Sequence, residues 1–475
     1  MNFMILNALF FVALILPSTH AGHSKEEWRS RTIYQILTDR FARSNGDDKS
    51  CNDIRRYCGG TWKGITNNLD YIQGMGFDAI WISPIIDNTP NGYHGYWARD
   101  WDSLNEFFGD ENSLKELIEE CHKRDIWVMV DVVANHVGPV NNDYSTIKPF
   151  NSPNHYHDFC SIEQSDYDNN QWRVENCRLS GLPDLSQENP FVRQYLLKWI
   201  KNMVKKYQLD GIRVDTIAHV PKDFWSEFRM SARAFTLGEV FNGRIEYVKG
   251  YIGPLDSILN YPLFFALRDF LRKSNFGNLW VTYSQIEEAF GKDLDYMGVF
   301  IDNHDNPRIR HYVSPDVGRS SIALTLLSRG IPIIYYGTEQ DFDGENDPNN
   351  REPLWTRMDK SSKNYELIKT LVKFRKEMQL WQTGYKQIIY ENHLYAIQRN
   401  HIIAIFTSTE GAQSREINNI DFSDGTRLCN YLNLKDCVVV LNKKIYISLA
   451  PGEMIKLYCK EDQISVSSHT ISSST

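Results

Sequence analysis

The chain alternates short apolar runs with longer helical patterns over most of its length. This alternation predicts an α/β fold, with a parallel sheet covered by helices on its outside. Seven or eight such units favour a closed (β/α)8 TIM barrel, and an open doubly wound sheet is the alternative. The runs that predict buried strands are 32–37, 79–83, 127–133, 211–214, 235–240, 297–301 and 331–336.

Two segments depart from the alternation and predict further domains. More than fifty residues rich in Asn, Asp, Ser and Pro separate the third strand from the helix near Phe191, and a connection of that length is usually functional or an inserted domain. From about Lys386 onward, strand-like runs alternate with turn residues, which predicts a C-terminal antiparallel β-sandwich domain. The predicted bounds are 22–136 and 188–384 for the barrel, 137–187 for an irregular inserted domain after strand three, 385–460 for the β domain and 461–475 for a disordered Ser/Thr-rich tail.

The first residues indicate export. The apolar run 3–16 is shorter than the roughly 20 residues that a membrane-spanning helix needs, and a small-residue cleavage pattern follows it at Ala21. We therefore expect a signal peptide over 1–21, no transmembrane segment, and a protein that is secreted or stays in the secretory lumen or cell wall. An uncleaved anchor is the alternative. Export makes disulfides plausible, but spacing alone does not fix how the eight cysteines pair.

The composition excludes two classes of protein. Hydrophobic residues make up 42% of the chain and aromatic residues 13%, which supplies a large core and excludes a disordered chain. The chain has 52 basic and 60 acidic residues, a net charge of −8, and no basic block. That balance argues against a nucleic-acid partner.

Three acidic residues follow predicted barrel strands: Asp215, Glu239 and Asp305. Each alone is more simply a helix cap or an ion-pair partner. The carboxyl ends of all barrel strands meet at one rim, however, so the three side chains are expected to converge there. Two convergent carboxyl groups in unlike protonation states are what the cleavage of a glycosidic bond requires. Arg213 is expected to keep Asp215 ionised.

Further side chains fit a sugar site or a metal site. Tyr96 and Trp97 lie in an aromatic run. His94 precedes them and His136 ends the third strand, and a nearby histidine can form hydrogen bonds to sugar hydroxyls. Aromatic faces can lie against sugar rings, although an ordinary aromatic-rich loop is an equally good interpretation. Asn135, Glu175 and Asp184 offer hard oxygen donors, which suit Ca²⁺ better than a transition metal.

The chain resembles the secreted fungal alpha-amylases of the alpha-amylase family of retaining glycoside hydrolases. Four segments look like the ordered motifs of that family: 131–136 (DVVANH), 211–219 (GIRVDTIAH), 238–240 (GEV) and 300–305 (FIDNHD). Shorter segments outside these motifs also look like sequences of that family, including 58–64 (CGGTWKG), 182–185 (LPDL) and 346–351 (NDPNNR). The similarity covers nearly the whole mature chain and is weakest past Lys386.

The resemblance implies a role for each residue of the site. Asp215 would be the nucleophile, Glu239 the general acid/base and Asp305 the stabiliser of the transition state. The expected substrate contacts come from Tyr96, Trp97, His136, Arg213, His219, His304, Asp347 and Arg351. Ca²⁺ would be held by the side chains of Asn135 and Asp184 and by the carbonyls of Glu175 and His219. The implied disulfides are Cys51–Cys58, Cys160–Cys177 and Cys437–Cys459.

The resemblance also implies an endo-acting hydrolase of α-1,4-glucosidic bonds that acts as a monomer on an α-glucan polysaccharide or oligosaccharide. One departure bears on this expectation, because Ala218 stands where fungal alpha-amylases usually carry a lysine that contacts sugar on the leaving-group side. A transglycosylase acting on cell-wall or storage α-glucan is therefore an alternative. A non-catalytic glycan-binding protein is a further alternative, and the intact acidic trio argues against it.

Overall fold

Parallel strands form the centre of the molecule. The structure is a computed structural model that describes residues 22–273, 276–391 and 393–464. Within those residues, the central sheet has eight strands in the order β6-β5-β4-β3-β2-β1-β8-β7. A parallel bridge from Leu259, directly after β6, to Gly298 in β7 closes the sheet into a barrel. The strands are β1 Ile33–Ile36, β2 Ala79–Ile82, β3 Trp127–Val132, β4 Gly211–Val214, β5 Phe235–Gly238, β6 Ser257–Ile258, β7 Gly298–Val299 and β8 Ile331–Tyr335.

Burial on both faces explains why these strands are almost continuously apolar. Each of the eight strands is buried along its whole length, as expected where side chains fill the barrel on one face and helices cover the other. The inner cluster includes Trp81, Met129, Leu237 and Ile333. The predicted TIM barrel is confirmed.

Helices connect the strands around the outside of the barrel. Pro190–Tyr207 shows how the sequence sets their bounds: the Asn189 side chain accepts hydrogen bonds from the first turn, and Gln208 ends the helix in a left-handed conformation. The α-helices are Lys25–Trp28, Thr38–Phe41, Trp62–Asn67, Leu69–Gly74, Glu111–Lys123, Asp166–Asn169, Gln171–Asn176, Pro190–Tyr207, Lys222–Ala232, Ile245–Lys249, Tyr261–Lys273, Phe276–Phe290, Pro315–Leu327, Lys363–Glu377 and Glu461–Ile464.

Two insertions build the rim above the barrel. A hairpin of Ile86–Asn88 and Ala98–Leu104 follows β2. A long segment between β3 and Pro190–Tyr207 has little regular structure beyond its two short helices. Short 3₁₀ helices occur at Tyr144–Thr146, Pro153–His155, Leu179–Gly181, Ile217–His219, Gly291–Asp295, Ile309–His311, Thr338–Gln340, Leu354–Thr356 and Leu380–Gln382.

The C-terminal part is antiparallel, as predicted. One sheet has the order β9-β10-β11-β16-β13-β14, and β12 pairs with β15 in a second sheet. The strands are β9 Lys386–Glu391, β10 Leu394–Arg399, β11 Ile402–Thr407, β12 Gln413–Ile417, β13 Arg427–Asn430, β14 Asn433–Val439, β15 Ile445–Leu449 and β16 Ile455–Lys460. An apolar cluster that includes Ile403, Ile447 and Tyr458 lies between the two sheets.

The cysteines form three disulfides among the described residues. Cys51–Cys58 and Cys160–Cys177 are present, but the implied pair Cys437–Cys459 is wrong, because Cys437 is bonded to Cys429. The strand order gives the reason. Strand β13 lies between β14 and β16, so Cys429 faces both Cys437 and Cys459. Cys437 and Cys459 are two strands apart, roughly 10 Å, which a disulfide cannot bridge.

The two ends of the chain are described only in part. The predicted signal peptide, 1–21, lies outside the described residues, as does 465–475 of the predicted tail. The prediction of disorder is wrong at 461–464, where Glu461–Ile464 forms a helix and Ile464 is buried against the β domain. Among the described helices, none combines the length and the apolar character that a membrane crossing requires.

Candidate active site

The three acidic residues singled out in the sequence lie together at one end of the barrel. Asp215 follows β4 directly, Glu239 follows β5 directly, and Asp305 lies on the loop after β7. All three line a single cleft of about 660 Å³. Because parallel strands end at the same rim, residues far apart in sequence converge there.

Arg213 holds two of these carboxylates at adjacent nitrogen atoms. Its Nη1 lies 2.8 Å from Asp215 Oδ1, and its Nη2 lies 2.8 Å from Glu239 Oε1. The Arg213 side chain is fully buried beneath the cleft. One guanidinium therefore fixes the positions of both carboxylates relative to each other, from the side away from the open cleft.

A third carboxylate, Asp131 at the end of β3, shares the same guanidinium. Arg213 Nη1 lies 3.0 Å from both Asp131 oxygens. Asp131 also accepts hydrogen bonds from Tyr96 Oη at 2.7 Å and from Trp81 Nε1 at 3.1 Å. Asp131 therefore orients Arg213 and the Tyr96 ring together.

Burial dominates the electrostatics of this group. It raises the pKa of Asp215 well above its ordinary value, with Arg213 lowering it and the Glu239 and Asp131 carboxylates raising it further. It raises the pKa of Asp131 to about 6, and it raises the pKa of Asp305. Arg213 thus lowers the pKa of Asp215 as expected from sequence, but the net direction is upward, because burial, with the neighbouring carboxylates, outweighs the effect of Arg213.

Glu239 has two further partners on its inner side. Tyr261 Oη donates to Glu239 Oε1 at 3.0 Å, and the Thr216 backbone N–H lies 3.3 Å from Oε2. Asn303 Nδ2 in turn donates to Tyr261 Oη at 3.0 Å. These contacts hold the carboxyl in one orientation at the cleft surface.

Asp305 contacts a neutral histidine and an arginine. Gln35 Nε2 lies 2.8 Å from His304 Nδ1. Because an amide N–H donates to Nδ1, the imidazole proton lies on Nε2, which is 3.2 Å from Asp305 Oδ2. Burial and the nearby arginines hold the pKa of His304 well below its ordinary value. Arg351 Nη2 lies 3.6 Å from Asp305 Oδ1.

The structure brings the predicted sugar-contacting residues to this cleft. It is lined by Tyr96, Trp97, His136, His219, His304, Asp347 and Arg351, while Arg213 lies beneath it. The Tyr96 and His304 rings are parallel, with centroids 5.1 Å apart. Arg351 Nη1 lies 2.9 Å from Asp347 Oδ1. The cleft therefore offers both flat aromatic faces and charged hydrogen-bonding groups to a ligand.

Sequence reasoning missed several residues of the site. Asp131 and Gln35 are polar residues inside buried strands, each one position before the strand's last residue, so their positions could have been noticed. Tyr261 begins the helix after the sixth strand, and no motif marks it. Tyr167 of the inserted segment, whose Oη lies 2.9 Å from His219 Nε2, is equally unmarked.

The residues expected to bind calcium lie beside the cleft. The end of the Asn135 side-chain amide lies 3.0 Å from Asp184 Oδ1 and 3.0 Å from the His219 carbonyl oxygen. With oxygen in that position, three oxygen atoms converge as in a site for a hard cation; with nitrogen there, the amide donates to both. Burial raises the pKa of Asp184 to about 7. Glu175 lies close by, since Gln171 Nε2 donates to both Glu175 Oε1 and the Ala218 carbonyl oxygen.

The comparisons with known proteins agree with one another. Residues 35–387 match the model of the family described as "Alpha amylase, catalytic domain". The chain is 41% identical over 408 residues to "Alpha-amylase 2" of Schizosaccharomyces pombe, and the aligned region covers 81% of this chain and 69% of that protein. It is 36% identical over 470 residues to "Alpha-amylase 2" of Schwanniomyces occidentalis, which covers 92% of each.

A solved structure is also similar over nearly the whole chain. The alpha-amylase of Malbranchea cinnamomea superposes with a TM-score of 0.89 at 34% sequence identity, and the match covers 94% of this chain and 99% of that one. The likeness therefore extends through the rim segments and the C-terminal sheets as well as the barrel.

Proposed function

This chain belongs to the alpha-amylase family, and on that premise we propose that it cleaves internal α-1,4-glucosidic bonds of starch- or glycogen-type glucans with retention of configuration. It is a glycoside hydrolase that acts on α-glucans. The observation that carries the proposed mechanism is the contact of one buried guanidinium with both Asp215 and Glu239, each at 2.8 Å, in the floor of the cleft.

The first step forms a covalent bond to the enzyme. An oxygen of the ionised Asp215 attacks the anomeric carbon, and the bond from that carbon to the leaving oxygen breaks. Glu239 gives its proton to that leaving oxygen, so the departing chain leaves as a neutral alcohol. The charge that develops on the sugar ring faces the carboxylate of Asp305.

The second step releases the sugar. The Glu239 carboxylate takes a proton from water, the water oxygen attacks the anomeric carbon, and the bond to Asp215 breaks. Two displacements restore the α configuration. Arg213 keeps both carboxylates in place through the cycle. Its positive charge faces the negative charge of Asp215 at the start of the first step and that of Glu239 at the start of the second.

The remaining residues of the cleft bind the glucan. We assign Tyr96, His136 and His304 to the sugar whose bond is cleaved, because they lie around the acidic trio. Trp97, Asp347 and Arg351 would hold sugars on the non-reducing side. The parallel Tyr96 and His304 rings present a flat surface to a sugar face, and the Arg351–Asp347 pair offers hydrogen bonds to its hydroxyls.

We also propose that Ca²⁺ is held by the side chains of Asn135 and Asp184 and by the carbonyls of Glu175 and His219. The fit rests on the Asn135 amide, which lies against two oxygen atoms, one of them Asp184 Oδ1, and on the burial of Asp184, whose Oδ2 contacts His157 Nδ1 at 2.7 Å. When bound, the ion supplies positive charge that joins the end of β3, the inserted segment and the loop after β4. The residues that it joins shape the cleft beside His219.

The proposal includes entry into the secretory pathway. It is supported by the apolar run at 3–16 and by disulfides, which form in oxidising compartments.

A time-resolved product analysis tests the proposed function. With maltoheptaose as substrate, we expect shorter maltooligosaccharides whose newly formed reducing ends are first observed as the α anomer by NMR. Products of the β anomer would refute the retaining mechanism. A fully inactive Glu239→Gln variant is the control for contaminating activity.

The same experiment separates hydrolysis from transfer. Ala218 lines the cleft and offers no charged group to a sugar on the leaving-group side. This difference is the reason to test the transglycosylase alternative. Products longer than the substrate, at high substrate concentration, would assign transfer. If only shorter products appear, the enzyme is a hydrolase.

A further inference from the structure

A chain of hydrogen bonds beneath the cleft links Glu239 to the loop that carries Asp305. Its two middle members are Tyr261, the first residue of the helix after β6, and Asn303, on the loop after β7. Both side chains are buried, and Asn303 is only 2% exposed. Any effect that they have on the reaction therefore passes through the acidic groups that they hold.

A backbone N–H sets the direction of every hydrogen bond in this chain. The Asp305 N–H donates to Asn303 Oδ1 at 3.1 Å, and a backbone N–H acts only as a donor. The amide nitrogen of Asn303 therefore lies on the other side, where it donates to Tyr261 Oη at 3.0 Å. Because the Tyr261 oxygen accepts that bond, its own proton is left for Glu239 Oε1, at 3.0 Å.

The two oxygen atoms of Glu239 thus have unlike surroundings. Oε1 accepts from Tyr261 and also lies 2.8 Å from Arg213 Nη2, while the contact of Oε2 is the longer one from the Thr216 N–H, at 3.3 Å. A proton on Oε1 would face the hydrogen atoms of a hydroxyl and of a cation. A proton on Oε2 leaves Oε1 free to accept from both. The arrangement therefore favours Oε2 as the protonated oxygen.

We propose that Tyr261, held by Asn303, is a positioning residue that keeps the transferable proton of Glu239 on Oε2. The inference rests on the proposed function, in which Glu239 is the acid. When the glycosidic bond breaks, the leaving oxygen takes the electron pair of that bond and the proton from Oε2, and Glu239 is left as a carboxylate. The Tyr261 hydroxyl stabilises this anion more than the neutral acid, so it favours the proton transfer.

Tyr261 is suited to remain a donor through the whole cycle. Burial raises its pKa well above the ordinary value, and the carboxylates of Glu239 and Asp305 raise it further, against the lowering effect of Arg213. The hydroxyl therefore keeps its proton when Glu239 loses its own, so the chain of hydrogen bonds keeps one direction in both steps of the reaction.

Two tyrosine substitutions test this inference. Tyr261→Phe removes the hydroxyl and keeps the ring, which packs against Phe241 and Phe300 with centroids 4.8 Å and 5.1 Å away. Tyr34→Phe is the matched control, because Tyr34 is also a buried barrel tyrosine and its Oη donates to another buried carboxyl group, Glu339 Oε1, at 2.8 Å.

The first readout compares two leaving groups, since only one of them needs an acid. Cleavage of maltoheptaose requires a proton for the departing sugar oxygen, whereas α-maltotriosyl fluoride releases fluoride, a weak base that departs with little proton transfer. The measured quantity is kcat/KM on maltoheptaose divided by kcat/KM on the fluoride. We expect Tyr261→Phe to lower this ratio about tenfold, the scale of one hydrogen bond to a charged group, and Tyr34→Phe to leave it unchanged. A merely structural role would lower both rates alike.

The pH profile gives a second readout. On maltoheptaose, the basic limb of kcat/KM reports the loss of the proton from the acid. Tyr261→Phe removes a donor that stabilises the carboxylate, so we expect this limb to move to higher pH by about one unit. Tyr34→Phe should leave the limb in place.

The outcomes separate the inference from the proposed function. An unchanged ratio in Tyr261→Phe, an equal fall in Tyr34→Phe, or a basic limb that stays in place or moves to lower pH in Tyr261→Phe would overturn the inference. All kinetics are measured below the melting temperature of every variant. The proposed function would fail instead if the wild-type protein cleaved neither substrate.

Discussion

At the scale of single residues, the site depends on how three carboxylates share Arg213. A buried cation facing one carboxylate would fix that group as an anion. Here the same guanidinium contacts Asp131, Asp215 and Glu239, so negative charge exceeds positive charge inside the barrel. The excess favours a proton on one member of the group, and retaining hydrolysis needs one protonated and one ionised carboxyl.

Replacing Asp215 by asparagine removes the proposed nucleophile while keeping its shape. We expect Asp215→Asn to lower kcat on maltoheptaose by at least about 10³-fold, because no other group can form the covalent bond. The matched control is Asp210→Asn. Asp210 is equally buried but precedes β4 at the opposite end of the strand, where its Oδ2 accepts from the Val128 N–H at 2.7 Å. Retained activity in Asp215→Asn would refute the assignment.

The raised pKa of Asp215 predicts the acid side of the pH profile. Asp215 must be ionised to attack, so kcat/KM falls as the pH drops through its pKa. Because burial and the neighbouring carboxylates raise that pKa, we expect the acid limb above the ordinary aspartate value of 3.8.

The Asp131→Asn variant tests whether neighbouring carboxylates raise the pKa of Asp215. Asp131→Asn removes one negative neighbour of Asp215 and leaves Arg213 with fewer partners, so the acid limb should move to lower pH. An acid limb at or below 3.8 in the wild type, or a shift to higher pH in Asp131→Asn, would contradict this account.

At the scale of elements, β13 decides the pairing of the cysteines. Cys429 lies opposite Cys437 in β14 and opposite Cys459 in β16, and it is bonded to Cys437 with a Cα–Cα distance of 4.0 Å. Cys459 is buried and free in this arrangement. The β13–β14 ribbon is thus closed covalently, while β16 is held by hydrogen bonds and packing.

Serine substitutions test this pairing. The bond spans 8 residues of sequence, and closing so short a loop stabilises the folded state by about 2–3 kcal/mol in the chain-entropy treatment. We expect Cys437→Ser to lower Tm clearly and Cys459→Ser to lower it less, since Cys459 forms no covalent bond. Non-reducing peptide mapping should recover a peptide that joins 429 and 437, and a 437–459 peptide would contradict the structure.

Strand β13 also illustrates which parts of the fold and the site could be predicted from the sequence and which could not. The long apolar barrel strands such as β3 were predicted from sequence to within a residue, because burial on both faces leaves a continuous signal. Strands β6 (Ser257–Ile258) and β13 (Arg427–Asn430) were missed, since β6 has one apolar residue and β13 begins and ends with polar residues, so neither forms an apolar run. The Cys437–Cys459 pair came from the family resemblance, and only the position of β13 between β14 and β16 shows that Cys437 pairs with Cys429 instead. The acidic trio could be placed because strand ends share one rim, whereas the Tyr261 and Tyr167 contacts depend on tertiary packing that no spacing reveals.

At the scale of the whole molecule, the cleft is built where separate parts of the chain meet. The barrel supplies the carboxylates, the hairpin after β2 supplies Tyr96 and Trp97, and the inserted segment supplies Tyr167. The inserted segment is attached through few regular elements, so its position depends on contacts with the barrel such as Tyr167 Oη with His219 Nε2, at 2.9 Å. The proposed Ca²⁺ would join this segment to two barrel strand ends at once.

Chelation tests that connection. An ion bound only to the folded state stabilises it by mass action, by about 2.7 kcal/mol at a hundredfold excess over Kd. We therefore expect excess chelator to lower Tm and added Ca²⁺ to restore it. Asp184→Asn should melt lower than the wild type and respond little to either treatment. Asp143→Asn, an exposed carboxylate of the same segment that accepts from the Ser145 N–H, should respond as the wild type does. If the melting curve of the wild type is unchanged by chelator, the inserted segment is held by protein contacts alone, and the Asn135 amide donates to Asp184 and His219 in place of an ion.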